Sequence, residues 1–402
     1  MANSETEAHQ QFPIVDFNDT KTAFANKSNA ELKRTGWLFR FINQPWLVNT
    51  GSSVVLWLHG AGLNIFNPFI KQTFFKQFCG GTTLEDSQDV VEHLNKNKTF
   101  TVLDYGIEGK TKEEEFDQTK DENINAIRFA SLHPGVPVVA TKVTGLASMD
   151  LLEKYQSSVE LSQNEKELFA RAKDRLDQLC SAARDQNIVV FIDAEETWIQ
   201  DTIDELVKQM MEKYNRQKVV VFQTYQMYRK DKLADLKANH KEAIEKGYLL
   251  GAKIVRGAYM EKERKRAEEM GYPSPIQESK ADTDRDFNAA ITYCVQHYEE
   301  IASCNATHNL ISNQLQATLI SEKKLPRNHP HLNFCQLLGM SDNITFNLAA
   351  AGYNVAKIVP YGPVKEVIPY LIRRARENTA VTGEMSRELS LIVTEMKRRG
   401  MK

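Results

Sequence analysis

Charge of one sign is the first thing this sequence lacks. Fifty-one Lys and Arg residues stand against 53 Asp and Glu, a formal net charge of −2 over 402 residues. A balance that close argues against nucleic acid or a strongly anionic membrane surface as the main partner. It leaves small anionic substrates open, because local fields differ from the net. Cysteine is also scarce. The five, Cys79, Cys180, Cys294, Cys304 and Cys335, are odd in number, dispersed and free of any CxxC pair. That excludes a disulfide framework, argues against a structural zinc site and fits a reducing compartment. Cys304 and Cys335 fall in strand-like runs and are expected to act as small buried hydrophobes.

Long apolar runs are missing too. The most apolar stretch, Val54 to Leu63, is interrupted by His59, Gly60 and Gly62 and is too short to span a bilayer. Met1 to Glu7 has neither a basic start nor an apolar centre, so no secretory or transit signal is expected. Several catalytic signatures are absent as well. There is no GxGxxG, which weakens a dinucleotide-binding doubly wound sheet. There is no G-x-S-x-G elbow and no Ser-His-Asp order. His308 has no HxH or HxxxH partner and the other histidines are scattered, so no metal is expected.

What is present is a change of texture near residue 99. Residues 1–98 read as a loose tail and a helical segment packed on the remainder of the chain. Its expected helices are Lys21–Phe41, an aromatic-rich stretch from Trp46 to Phe78, and a short helix after Thr83, where Thr83-Leu84-Glu85-Asp86 resembles a capping box. From residue 99 to 402, short β-branched runs alternate with amphipathic, charge-rich stretches. The spacing predicts strands at Phe100–Tyr105, Val136–Val143, Ile188–Asp193, Val219–Thr224, Ala252–Arg256, Ile301–His308, His331–Leu337 and Asn354–Pro360. Helices are predicted at Lys112–Ser131, Ser162–Gln186, Trp198–Lys213, Arg229–Lys246, Asp282–Glu300, Asn309–Glu322, Asp342–Ala351 and Val364–Asn378. Eight strands, each followed by a helix, predict an α/β fold, a (β/α)8 barrel of the TIM type with an N-terminal helical segment and C-terminal helices.

Polar residues gather at the C-terminal ends of these strands: Asp104, Lys142, Asp193, Gln223, Arg256, the Thr307-His308-Asn309 run, Gln336 and Tyr361. In a barrel all such ends face one mouth, where the active site is built. The last predicted helix adds Arg373, Arg374 and, four residues after the first, Glu377. Helical spacing puts Arg373 and Glu377 on one face. Two guanidinium forks there suit a small carboxylate. An ordinary solvated ion pair is the competing explanation for that segment alone. Lys253-Ile254-Val255-Arg256-Gly257-Ala258-Tyr259 places cations at a strand end and then a glycine that permits close backbone approach. The basic stretch Lys262 to Arg266 suits a diphosphate or a plain solvated helix.

These segments, taken in order, resemble the proline dehydrogenases. They are Leu103 to Lys110, Thr141 to Thr144, Ile192 to Glu195, Val221 to Gln226, Val255 to Tyr259, Ala306 to Asn309, Gln336 to Met340, Pro360 to Pro363 and Arg373 to Asn378. The likeness runs over about residues 85–385, and the helical N-terminal part is similar to stand-alone, eukaryote-like members. It implies a flavin-binding barrel that oxidises L-proline to Δ1-pyrroline-5-carboxylate with FAD and passes the electrons to a quinone. By the same resemblance Arg373, Arg374 and Lys142 would hold the substrate carboxylate. Asp193 and Glu377 would join the pocket network, and Tyr361 and Leu337 would pack on the ring. Glu108 would pair with Arg373 as a gate. Gln223, Lys253, Val255, Arg256, Gly257, Ala258, Thr307, His308 and Asn309 would line the cofactor. Lys253 stands where some members carry arginine, and Met260 where some carry tryptophan.

Tyr361 bears on substrate choice: a bulky phenol should disfavour a hydroxylated ring, so proline is expected over 4-hydroxyproline. Asp193 and solvent are both open as acceptors of the amine proton. Other assignments also stay open: a 4-hydroxyproline dehydrogenase, a flavin barrel of the methylenetetrahydrofolate reductase type, and a barrel binding a small acid without redox chemistry. Residence is expected in the cytoplasm, with peripheral contact at the inner membrane left open, or on the matrix side in a eukaryote. No heptad run defines an oligomeric state.

Overall fold

The computed structural model describes residues 14–42, 71–105, 110–364, 366–367 and 384–401. Eight parallel strands close into a barrel in sequential order: β1 Phe100–Tyr105, β2 Val138–Lys142, β3 Val189–Asp193, β4 Val221–Gln226, β5 Leu250–Val255, β6 Ile301–Ala306, β7 Leu332–Leu337 and β8 Asn354–Tyr361. β8 returns to β1, with Tyr105 opposite Tyr361 at the mouth. The predicted barrel is therefore the observed one.

Alternation along the strands sorts side chains into two layers. Val102, Val138, Ala140, Phe191, Phe222, Cys304 and Cys335 pack together in the lumen. Leu103, Val139, Val190, Ile192, Val221, Tyr225, Leu250, Ala252 and Ile254 face outward, under the surrounding helices. All five cysteines are buried and unpaired, as their strand-like settings suggested for Cys304 and Cys335.

Several boundaries differ from expectation for identifiable reasons. β4 starts at Val221 and runs on to Gln226. Asn215 takes the backbone just before it, its Oδ1 accepting from the N–H of Val220 and of Val221 at 2.9 Å each. The expected helix Lys21–Phe41 is two pieces, Thr20–Ala23 and Asn29–Ile42. Ser28 and Glu31 bond reciprocally at the break, with Ser28 N–H donating to Glu31 at 2.8 Å and Glu31 N–H to Ser28 Oγ at 3.3 Å. That is a capping box, and it restarts the helix. At Thr83 the box is incomplete: Asp86 N–H donates to Thr83 Oγ1, while the Asp86 carboxylate accepts from Thr82 instead. Two further helices follow β2 and β5: Met149–Gln156, which was not expected, and Met260–Met270, which carries the basic stretch Lys262 to Arg266.

The N-terminal segment and the C-terminal helix Glu384–Arg398 dock on each other and on the barrel. Leu32, Leu38, Phe39, Ile42, Phe75, Phe78, Met340, Val367 and Ile392 form one apolar cluster. Arg399 ties the two ends, donating to Phe24 O at 2.6 Å and Lys27 O at 2.7 Å. Most of the expected Trp46–Phe78 helix lies outside the described residues. Its end is a π turn, Lys71–Phe75, followed by Lys76–Phe78. No helix among the described residues is long and apolar enough to cross a membrane.

Candidate active site

Asp193, the last residue of β3, is the electrostatic centre of the mouth. Strand register sets Lys142 of β2 directly beside it. Lys253 of β5 reaches across the lumen to its Oδ1. Lys142 lies 3.6 Å from its Oδ2. Lys253 is 3% exposed, and its ammonium sits 5.4 Å from the centre of the Phe191 ring. Burial alone would raise the Asp193 carboxyl, but the two ammonium groups outweigh it and hold it below the usual carboxylate range. Burial would likewise discharge Lys253, and Asp193 instead keeps it cationic. The result is a carboxylate flanked by two cations on the floor of the mouth.

Two residues further on, Glu195 has the opposite fate. It is 3% exposed. It accepts from Thr144 N–H at 3.0 Å and from the Thr144 hydroxyl. Burial dominates and pushes its carboxyl up to about 7, against the opposing hydrogen bonds from Thr144. The sequence pattern assigns Glu195 no role, because nothing in a linear run separates it from Glu196. Its backbone N–H donates to Gln200 Oε1 at 2.6 Å, and its carbonyl accepts from Gln226 Nε2 at 3.0 Å.

Gln223 does not end its strand. It lies inside β4, between Val221 and Tyr225 of the outward layer, and is 1% exposed with neither side-chain polar atom hydrogen-bonded. The glutamine at the strand end is Gln226, whose Oε1 is buried and also without a partner. Arg256 follows β5 and is held on three sides. It donates to Asp284 at 2.8 Å, Thr307 Oγ1 at 2.6 Å and Ser312 Oγ at 3.0 Å, and it lies 4.2 Å from the centre of the Phe287 ring. Val255, the end of β5, is half-buried beside it.

The close approach at Gly257 is to protein. Its φ is +124°, and a Cβ there would lie 2.4 Å from the Tyr228 ring, so only glycine is accommodated. Ala258 is exposed on the turn after it. Thr307 also accepts from Asn309 N–H at 3.1 Å, and Asn309 caps the next helix through Ser312 N–H at 3.0 Å. His308 Nδ1 is 2.9 Å from Ser341 Oγ. The basic stretch Lys262 to Arg266 lies on the Met260–Met270 helix, and its first and last cations are already matched. Lys262 pairs with Glu196 and Arg266 with Glu153, and Arg266 stacks over Trp198.

Tyr361 ends β8 in the same apolar cluster as the outward-layer Leu103 and is 1% exposed. Its hydroxyl donates to Glu122 at 3.1 Å and its ring packs on Tyr105, centroids 5.3 Å apart. Glu122, on the Glu113–Leu132 helix, was not foreseen. Leu337 ends β7 and packs against the cluster that docks the C-terminal helix. Glu108, Arg373, Arg374 and Glu377 lie outside the described residues.

Unmet buried amide atoms and cations at the strand ends fit a polar, anionic cofactor. The buried, unmet amide atoms of Gln223 and Gln226 on β4 call for partners, and Asp193 and Lys253 stand on the strands to either side. A sequential (β/α)8 barrel with its charged groups at the carboxyl ends of the strands defines an enzyme of the barrel class. The model for the proline dehydrogenase family matches residues 87–387, and the chain belongs to that family. It is 31% identical to "Proline dehydrogenase 1, mitochondrial" of Dictyostelium discoideum, over 95% of this chain and 74% of that protein. It is 32% identical to the carbapenem antibiotics biosynthesis protein CarD of Pectobacterium carotovorum, over 80% of this chain and 83% of that one. Among solved structures, proline utilization A of Bdellovibrio bacteriovorus superposes with a TM-score of 0.68 at 21% identity, covering 92% of this chain and 37% of its own, a likeness of fold.

Proposed function

We propose that this protein oxidises L-proline to Δ1-pyrroline-5-carboxylate using FAD and passes the electrons to a quinone. The observation that carries the proposal is the pairing of Asp193 with Lys253 and Lys142 at the mouth of a barrel belonging to this family. A bound flavin supplies the two-electron acceptor for a hydride from the ring carbon beside the substrate nitrogen.

The chain's own contribution is binding and orientation. Lys142, with Arg373 and Arg374 from beyond β8, takes the substrate carboxylate. A carboxylate removed from water needs paired donors, which the two guanidinium groups supply. Fixing that end of the substrate aims the opposite ring carbon at the acceptor, which is catalysis by orientation. Asp193 keeps Lys253 cationic and pairs with Lys142 at 3.6 Å. Glu377 belongs to the same pocket network, and Tyr361 and Leu337 bound the ring. Gln223, with both amide atoms buried and unmet, and Gln226, with its unmet buried oxygen, both support a cofactor contact from β4. Lys253, Val255, Arg256, Gly257, Ala258, Thr307, His308 and Asn309 make up the cofactor wall. Glu108 closing on Arg373 would exclude water during turnover.

The relative named as mitochondrial supports residence in a mitochondrion if the source is eukaryotic. The test is steady-state turnover with L-proline and a soluble quinone. Arg373→Ala should raise KM for proline at least about 10-fold while flavin stays bound, the signature of lost substrate binding. An unchanged KM removes that arginine from the site.

A further inference from the structure

His240, His297 and Glu300 are separated in the chain but converge outside the barrel, away from the mouth. His240 lies on the inner face of the Lys232–Lys246 helix, in one stripe with Leu236 and Ala243, and is 3% exposed. His297 caps the C-terminal end of the Lys280–Gln296 helix, and Glu300 directly precedes β6. Both therefore sit at the N-terminal end of the strands. A six-residue strand separates that end from the mouth by roughly 20 Å. A ring nitrogen of each histidine and a carboxylate oxygen of Glu300 all lie within 4.8 Å of one another. The two imidazole centroids are 4.9 Å apart.

The ordinary explanation is a core histidine with both nitrogens satisfied, and His240 does not meet it. Its Nδ1 is 2.8 Å from the Tyr293 hydroxyl. Its Nε2 is buried and has no hydrogen-bond partner. A buried nitrogen left unmet is costly and points to a missing partner. With Nδ1 engaged by the Tyr293 hydroxyl, Nε2 is the ring nitrogen left to take a ligand. A metal-binding histidine is typically held this way, with an outer partner fixing the ring and its tautomer.

We propose that His240 Nε2, His297 and Glu300 form a binding site for a divalent transition-metal ion of the Zn2+ type, completed by water. Two imidazoles and a carboxylate are an ordinary three-residue set for that ion. Ligands about 2.0–2.1 Å from a tetrahedral ion are about 3.3 Å from one another, so the set must close slightly on binding. His297 and Glu300 stand at a helix end and in the short turn after it, where side-chain rotation achieves this. The bound ion clips the Lys232–Lys246 helix to the turn that leads into β6. Its role is to stabilise the barrel wall, apart from the chemistry at the mouth. A search for paired histidines in sequence does not find it, because 57 residues separate the two.

Co2+ is the probe. The full-length protein is purified without a polyhistidine tag, stripped with chelator and titrated anaerobically. One equivalent should bind, with the visible d–d bands of four- or five-coordinate Co2+, and Zn2+ should displace it. His297→Gln, at a partly exposed position that tolerates the change, should abolish the bands and weaken Zn2+ binding about 100-fold; Tyr293→Phe should weaken it about 10-fold. The double variant His329→Gln/His331→Gln removes another close imidazole pair, 5.5 Å between centroids, and should change nothing. Zn2+ should raise Tm in wild type without altering proline turnover. Failure of wild type to bind one equivalent of Co2+ overturns the proposal, and so does binding that survives His297→Gln.

Discussion

Asp193 and Glu195 lie two residues apart at one strand end, yet their carboxyls are driven in opposite directions. Burial acts on both. Two ammonium groups reverse it at Asp193, while hydrogen bonds from Thr144 do not offset it at Glu195. Asp193→Asn should therefore leave Lys253 as an uncompensated buried charge, at a cost of about 3–5 kcal/mol. Turnover should fall about 100-fold, a larger change than the rise in KM for proline, since the proposed role of the residue is to position rather than to bind. Urea unfolding and steady-state kinetics check the two halves separately.

Glu195 carries a pH consequence. Its folded pKa of about 7 lies above the unfolded value of 4.5, so the folded state holds the proton longer. Stability from this group is greatest below the unfolded pKa and falls as pH rises to about 7, by about 3 kcal/mol in all. Glu195→Gln should flatten that stretch of the stability curve, measured by urea unfolding between pH 5 and pH 8. Tyr361 is the residue proposed to set specificity at the same scale. Tyr361→Ser should shift the ratio of kcat/KM values toward 4-hydroxyproline, and a wild-type preference for 4-hydroxyproline would contradict the assignment. Asp193 was legible in sequence as a polar residue ending a β-branched run. The β4 end was not: Val219-Val220-Val221 reads as strand, but Asn215 claims the backbone of the last two and pairing continues to Gln226.

At the scale of elements, what the sequence hid is how the chain's two ends are fastened. Lys357 of β8 is buried and pairs with Asp342 at 3.0 Å, and Lys27 of the N-terminal segment reaches the same carboxylate at 3.2 Å. Glu388 of the C-terminal helix accepts from Ser341 N–H beside them. Burial and the nearby Asp342 push Glu388 up to about 8, against the pull of Lys357. Ionising it therefore costs more in the folded protein, and docking of the Glu384–Arg398 helix should weaken as pH climbs from 4.5 to about 8. Hydrogen exchange corrected for intrinsic rates should show that helix losing protection over this range, and Glu388→Gln should remove the trend. Helices with strong periodic faces were legible within a few residues. The Ser28 restart was marked locally by Ser28-x-x-Glu31, whereas the docking cluster draws on residues far apart in the chain.

For the whole molecule, closure of the barrel makes scattered polar residues meaningful. Eight strand ends are brought to one rim, so residues far apart in the chain meet around Asp193. Alternation of β-branched and amphipathic segments was enough to foresee that architecture, because each strand buried on both faces reads as a short apolar run. The contacts across the lumen were not foreseeable, since they depend on register. The central claim is tested most directly by an anaerobic visible spectrum of the purified protein before and after L-proline. The account predicts a flavin band that bleaches when proline is added. A protein that binds no flavin even after incubation with FAD, or a flavin band that proline leaves unchanged, would contradict it.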